Sequence, residues 1–382
     1  IILLNFFFLM VLISQKKFDF INHISIKLIL ILYLYLIFNS LISQDYSIGL
    51  SRNIGFIRII IFFIFINYFF FHYKNDKKLL DFWSLIICAL IVDVFVEYFF
   101  DANLIGLGGK DQPYGNRIKS FFVDEPIVGA YLAGFIFLIF GYLLKRYNKK
   151  TIACTFLLIA FISVIFTGER SNTLKVFSGI IFYFLLLDFL KIKTKLIIIL
   201  LFFIIFGAIL SQSEYLKTRY VGQFYNVLTN KKNFEKLENN QYIILYKSGY
   251  SVFKNYPFFG VGNKNYRVET CRKQNIDQAK FEYVCSTHPH QIYIELLSEH
   301  GLVGFIIILG VLFFLMFKIL KSILISRNYI QIGAFTYVLI NFIPFLPSGS
   351  FFSDFNITLF WINFSIMFAC DKKTNIFAKN YV

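Results

Sequence analysis

Charge is scarce in this sequence. Asp, Glu, Lys and Arg make up 16% of its 382 residues, against about 25% in a soluble globular domain. Polar side chains are too few to clothe a folded surface in water, so a soluble enzyme is excluded. Intrinsic disorder is excluded as well, because a chain that is 58% hydrophobic has the opposite composition. Five cysteines are too few for a disulfide scaffold. What the chain has instead is aromatic bulk, 52 Phe and 24 Tyr, set in long apolar runs. This is the composition of an all-α polytopic membrane protein. The formal net charge of +16 does not point to nucleic acid, because the placement of basic residues matters more than their sum.

A spanning helix needs about 17–25 mainly apolar residues. Runs of this kind lie near 2–14, 24–43, 54–72, 80–100, 126–144, 151–166, 173–190, 196–211, 302–320, 329–346 and 354–370. They are continuous rather than alternating, which excludes barrel strands. Lys and Arg gather at one set of ends, for example Lys145, Arg146 and Lys150, then Lys191, Lys193 and Lys195. Nineteen fall on that side and seven on the other when the long 212–301 segment is set aside. The basic side is therefore expected in the cytoplasm, with the C-terminus, and 212–301 outside. Much of the excess positive charge is then a topological signal at anionic headgroups. The first run is short and the sequence opens Ile1-Ile2 rather than with methionine, so 11–12 spans are expected in all. Three parts result: 1–211 with about eight spans, the external loop 212–301, and 302–382 with three spans and a short cytoplasmic tail.

The external loop is too long for a plain connector. Two helices are expected in it, one over about 240–255 that stops at Tyr256-Pro257 and one over about 290–299 that ends at Gly301. Both mix apolar and polar residues and suit the membrane surface. Cys271 and Cys285 share the oxidising side, where a disulfide would close a short loop worth about 3 kcal/mol; two free thiols are the alternative. Cys88, Cys154 and Cys370 lie in or beside spans and read as packing. His288 and His290 near Cys285 match no familiar zinc spacing, so no metal and no cofactor is expected. Gly260-Val261-Gly262 lacks the third glycine and the strand–helix setting of a dinucleotide fingerprint. A tight turn that positions residues 263–267 fits better. Within the spans, Asp93 and Glu97 share a helix face. With Arg58 and Lys175 near the outer ends, they are expected to form a polar pocket beneath the loop.

Four segments, taken together, carry a resemblance. His288-Pro289-His290-Gln291 is followed after nine residues by Gly301, and then by Gly304. Asn255-Tyr256-Pro257-Phe258-Phe259-Gly260-Val261-Gly262 lies upstream, Thr167-Gly168-Glu169-Arg170-Ser171 closes a span, and Phe122-Val123-Asp124-Glu125-Pro126 precedes an earlier one. This set resembles the O-antigen ligase and polymerase family, in which a His followed by Asn, Ser or Gln precedes nine residues, a Gly, two residues and a small residue. The resemblance implies a GT-C-like helical glycosyltransferase of the bacterial inner membrane with its active site facing the periplasm. It implies transfer of a glycan from undecaprenyl pyrophosphate, without metal, by a loop histidine and two arginines. His290 carries over as the histidine and Arg170 as one arginine. Relatives place the second in a Gly-Arg pair where this chain reads Asn239-Asn240-Gln241-Tyr242, so Arg219 or Arg267 is left to supply it, with Arg267 favoured for following the glycine turn. His288, Gln291, Asp124 and Glu125 are further candidates for binding sugar or pyrophosphate.

The chemistry suits these residue types. A histidine with a pKa near 6.5 is available as a base for an acceptor hydroxyl, and the arginine fork holds two phosphate oxygens at once. Bland roles compete with each: His290 as a helix cap, His288 as part of the Pro289 turn, Arg170 as a headgroup anchor, and Asp124 and Glu125 as the acidic start of a helix. The acceptor is a lipid A–core sugar for a ligase and another lipid-linked repeat for a polymerase, and His-Gln leans towards the ligase. A lipid-linked oligosaccharide flippase is the distant rival, since the inverted repeats and broken helices of transporters are not evident. Membrane lipids are partners on any reading; protein partners are not indicated.

Overall fold

The computed structural model describes residues 2–15, 18–73, 76–108, 117–122, 125–147, 150–222, 240–272 and 282–378. Among them there are helices and no strands, and the protein is an all-α polytopic membrane protein. Every expected apolar run carries a helix: α1 (Ile2–Gln15), α2 (Ile24–Leu41), α3 (Tyr46–Gly55) continued by α4 (Ile57–His72), α5 (Asp76–Phe100), α6 (Val128–Arg146), α7 (Lys150–Phe166), α8 (Arg170–Leu186) and α9 (Ile192–Gln212). The short α10 (Glu214–Lys217) leads into a π-helical turn over Thr218–Gly222. α11 (Gln241–Asn255) and α12 (Tyr266–Thr270) lie in the long loop, and α13 (Ile292–Ser326), α14 (Tyr329–Ile340) and α15 (Asp354–Ala369) complete the chain. Six of the described helical stretches are by themselves long and apolar enough to cross a membrane. α14 is shorter than the run that announced it: twelve residues cover about 18 Å of a hydrocarbon core of about 30 Å.

The chain forms two compact units. One comprises His72–Asn233 and Ser322–Ile343. Its centre is α6, which is apolar on all sides and buried along nearly its whole length. α14 runs against it at backbone distance. A Cβ on Gly141 would overlap the Tyr329 carbonyl, and one on Gly333 the Phe137 carbonyl, the small-residue contact that lets helices approach closely in a membrane. The Tyr183 hydroxyl donates to the Tyr329 carbonyl at 2.9 Å. α9 shows the opposite character: Leu196, Leu200, Leu201, Phe203 and Ile204 are all at least half exposed, a face suited to lipid. Cys88 and Cys154 are also exposed, so they pack less than their place in the sequence suggests.

The pair Asp93 and Glu97 is buried in this unit. Asp93 accepts from the Leu104 amide at 2.7 Å and from the Ser120 hydroxyl. Glu97 accepts from the amides of Lys119 and Ser120 at 3.1 and 2.6 Å. Donors of the following loop, three amides and the Ser120 hydroxyl, take both carboxylates. Arg58 pairs instead with Asp354 at 2.5 Å, in the other unit.

That other unit comprises Ile1–Phe71, Phe234–Lys321 and Pro344–Val382. Phe56, Phe63, Phe364 and Phe368 pack around the buried Trp361 and one another with mostly edge-on rings, which suits the aromatic quadrupole. Its distinctive element is α13, two helical segments that meet at Gly301, where φ 63° and ψ −170° are non-helical: the first ends there, as expected, and the second runs on as the following span.

The close approach in the first unit is testable. Gly333→Val is expected to cost about 1–3 kcal/mol or more through overpacking and to broaden or abolish the monodisperse size-exclusion peak of the detergent-solubilised protein. Gly310→Val, where a Cβ meets nothing within 4 Å, is expected to leave the peak as in wild type.

Candidate active site

A broken helix leaves carbonyls before the break and amides after it without partners. Here the glycine turn supplies them. The amides of Val261 and Gly262 donate to the carbonyls of Ser298 and Glu299 at 3.0 and 2.9 Å, and the amides of Leu302 and Val303 donate to the carbonyls of Pro257 and Phe258 at 2.8 and 3.1 Å. Gly260 and Gly301 both have positive φ, 67° and 63°, and a Cβ on either would overlap the backbone of the other segment. The turn is held from its far side too. The Asn263 amide donates to Asn39 at 2.9 Å, Asn39 donates to the Phe259 carbonyl at 2.9 Å, and the Gln44 amide donates to the Val261 carbonyl at 3.0 Å.

At its N-terminal end α13 is capped by Gln291. The Gln291 carbonyl accepts from the Glu295 amide at 2.8 Å, and its side-chain oxygen accepts from the Ile294 amide at 2.9 Å. Gln291 is buried, and its oxygen, expected to serve substrate, is committed to the cap. The helix accordingly starts at Ile292, not at 290. His290 precedes the cap with φ 57°, a left-handed conformation uncommon for residues other than glycine. The Ser348 amide holds its carbonyl at 2.8 Å. Across Pro289 the rings of His288 and His290 lie 3.9 Å apart, tilted by 40°. Tyr242 meets His290 edge-on with centroids 6.1 Å apart. His288 Nδ1 is 2.9 Å from the Thr287 hydroxyl, while its buried Nε2 has no hydrogen-bond partner among the described residues.

Both imidazoles are neutral at physiological pH. Burial lowers His288 to about 4, helped by the Lys264 charge. Burial also lowers His290 to about 4, helped by His288 and opposed by Glu295. Beneath the turn, Glu295 is fully buried. It accepts from the Ser350 hydroxyl at 2.6 Å and from the Phe351 amide at 3.0 and 3.2 Å. The Lys264 ammonium donates to the same Ser350 hydroxyl oxygen. The loop around this turn has its own core of Val252, Val261 and Tyr266, with Tyr256 and Tyr283 against it. Cys271 and Cys285 are joined by a disulfide, with Cα atoms 4.5 Å apart.

In the unit built on α6, Thr167–Ser171 forms a turn into α8. Glu169, expected only as part of a motif, is buried and caps α6. It accepts from the Gly129 and Ala130 amides at 2.6 and 3.2 Å and from Asn172 at 2.6 Å, where a helix N-terminus favours an anion. Burial still raises its pKa to about 7. Glu125, proposed for that helix start, is exposed, and its own amide donates to the Phe122 carbonyl at 2.9 Å. Asp124 and Asn239 lie outside the described residues. Arg219, on the π-helical turn, donates through Nε to the Gly168 carbonyl at 2.8 Å. Arg170 donates to the Arg219 carbonyl at 3.5 Å. Burial, with the charges of Arg117 and Arg170 close by, lowers the Arg219 pKa. The same three guanidiniums surround Tyr215, whose buried hydroxyl has no hydrogen-bond partner among the described residues. Three arginines thus converge near one partly neutralised carboxylate, which makes an anion-binding environment. Arg267, the favoured second arginine, is exposed on α12; its carbonyl accepts from the Cys271 amide at 3.0 Å, and its guanidinium has no hydrogen bond or ion pair among the described residues.

Sequence reasoning missed Arg117, Lys264, Glu295 and Ser350. Arg117 was legible only as one of the few basic residues on the outer side. Glu295 carried the signal of a carboxylate in the first turn of an expected helix. Lys264 and Ser350 had none, because their partners are distant in the chain.

Two measurements follow from this geometry. Gly301→Ala or Gly260→Ala forces a Cβ into backbone at a positive φ and is expected to lower the melting temperature of the purified protein clearly more than Gly310→Ala does. The depressed histidines mean that the unfolded chain takes up protons between pH 6.5 and 4 that the folded one refuses. Stability conferred by keeping these imidazoles neutral is therefore present above pH 6.5 and lost as the pH falls towards 4. Melting temperature should fall on acidification over that window, and less steeply in His288→Asn/His290→Asn.

Residues 155–309, a stretch that includes Arg170, Arg219, the glycine turn, the histidine turn and the break at Gly301, match the family model described as O-antigen ligase. No curated protein and no solved structure matches the chain. Over that stretch the chain is similar to an O-antigen ligase domain, and the stretch is set in a helical membrane fold.

Proposed function

We propose that the protein is an O-antigen ligase-like glycosyltransferase of the bacterial inner membrane, moving a glycan from undecaprenyl pyrophosphate to a sugar of the lipid A core at the periplasmic face. The acceptor hydroxyl oxygen attacks the anomeric carbon of the donor sugar. The bond from that carbon to the diphosphate oxygen breaks, and undecaprenyl pyrophosphate leaves with the electron pair. His290 receives the hydroxyl proton. Arg170 and Arg219, with Arg117 beside them, bind the diphosphate and stabilise the charge it gains, a task that suits guanidinium forks. Burial keeps His290 neutral, with the His288 ring lying against it.

The observation that carries this reading is the neutral histidine pair within the family-matched stretch. At about 4, His290 is unprotonated throughout the physiological range, which a base requires, though it is a weaker base than an exposed imidazole. The cytoplasmic placement of the C-terminus rests on the distribution of Lys and Arg.

The test is a lipopolysaccharide gel from the native host with the gene deleted and then restored. Core without repeats, with polymer retained on its lipid carrier, is the expected deletion phenotype. His290→Ala should restore ligation at about 10²–10⁴-fold below wild type, the usual contribution of a general base, at equal membrane abundance. Arg170→Ala should fail in the same way. Core capped by a single repeat would make the protein a polymerase instead, and a ladder unchanged by deletion would refute both.

A further inference from the structure

A fully buried carboxylate lies beneath the histidine turn, and the proposed reaction assigns it no task. Burying a charge costs several kcal/mol even when it is well paired, and an apolar residue of similar size packs at lower cost. Glu295 nevertheless occupies such a place, and every donor to it comes from one segment. The Ser350 hydroxyl and the Phe351 amide bind its two oxygens, and Lys264, set at φ 63° just after the glycine turn, reaches the same Ser350 oxygen from the other side. Two residues upstream, Ser348 donates its amide to the His290 carbonyl. The carboxylate is therefore tied to the histidine backbone through residues 348–351.

We propose that Glu295 is the positioning residue of His290. Through Ser350 and Phe351 it fixes the segment whose Ser348 amide keeps His290 in its left-handed turn, and it stands as the negative charge facing the imidazole when that ring takes up the acceptor proton. The proposal rests on His290 acting as the base. The groups around the ring are consistent with this division of labour: His288 lies tilted against it, Tyr242 meets it edge-on, Lys264 disfavours a charge on His288, and Glu295 favours the protonated form of His290 against burial. Glu299 lies four residues along the same face of α13, and its buried carboxylate has no hydrogen-bond partner among the described residues. The amides of Lys264 and Tyr266 lean towards it without closing a bond. Burial raises both carboxyls and the Lys264 charge opposes that rise at each, while its bond to the Ser350 oxygen ties Lys264 to Glu295.

The test uses the purified full-length protein in proteoliposomes, with lipid-linked glycan and core lipid A extracted from the native host. Glu295→Gln preserves shape and removes the charge. The expected result is a kcat lowered 10- to 100-fold with the KM for donor within twofold of wild type. On a His290→Ala background the same change should cause no further loss, because Glu295 acts through His290. A wild-type kcat in Glu295→Gln, or a loss that adds in full to that of His290→Ala, would overturn the proposal. If Glu295→Gln lacks the wild-type size-exclusion profile, Ser350→Ala, which removes a single hydroxyl from the chain of contacts, decides by the same two criteria. Wild-type turnover by His290→Ala would instead overturn the assignment of the base, and this proposal with it.

Discussion

The break in α13 at Gly301 is the constraint from which the loop-side geometry follows. A helix interrupted inside a protein must find other partners for its freed carbonyls and amides. The turn over residues 257–262 satisfies four of them at once, two on each side of the break. It can do so only because neither Gly260 nor Gly301 carries a Cβ. The outer face of the turn is held by asparagines: Asn39 and Asn53 grip Asn263, and Asn265 bridges to Asp45. Lys264 follows immediately, so its direction is a consequence of the break. The hydroxyl of Tyr35 lies where a side chain at position 304 would begin, which accounts for the small residue three positions after Gly301.

Two opposite treatments of charge serve the proposed chemistry. Around the histidines, burial keeps ionisable rings neutral, and the nearest charges, Lys264 and Glu295, act on them in opposite directions. Around Arg170 like charges are crowded instead: burial, together with the guanidiniums of Arg117 and Arg170, makes Arg219 hold its proton less firmly than usual, beside a carboxylate that burial has pushed towards neutrality. Crowded cations are tolerated when an anionic ligand relieves them, and arginine suffers least from the arrangement because it stays charged. The first treatment suits proton transfer and the second suits a diphosphate.

The membrane fold was legible because hydropathy sums over about twenty residues and tolerates errors at single positions. Helix ends were less legible because each is set by one cap. Glu125 ahead of α6 looked like part of its cap by adjacency, yet the carboxylate that accepts from the Gly129 amide is Glu169, forty residues on. The arginines show the same limit. Arg267 was favoured for following the glycine turn, but side chains on a five-residue helix point where its packing directs them, and with Val261 and Tyr266 buried Arg267 turns outward. Arg219 was named as the weaker choice, and a π-helical turn brings it back to Gly168. The family motifs were visible as separate pieces; that the proline–glycine turn and the histidine–glycine spacing are two halves of one structure was not, since no periodicity joins residues 260 and 301.

The nine-residue interval between Gln291 and Gly301 then acquires a physical meaning. Gln291 caps one end of a rigid segment and Gly301 breaks the other, and at 1.5 Å per residue the segment between them is about 14 Å long. Its length fixes how far the histidine turn stands from the glycine turn. Within it Glu295 and Glu299 are spaced four apart, and thus share a face. Burial makes a second charge there costly, and with Glu295 close by it pushes the Glu299 pKa up to about 8. Lys264 arrives from the break end and opposes that rise at both carboxyls, and Ser350 arrives from the segment that holds His290. An insertion or deletion of one residue between the cap and the break would rotate the face by about 100°, carrying Glu295 away from Ser350 and the histidine turn away from its anchor. The spacing is thus as much a part of the site as the histidine, because it decides which side chains the two ends of one short helix can bring together.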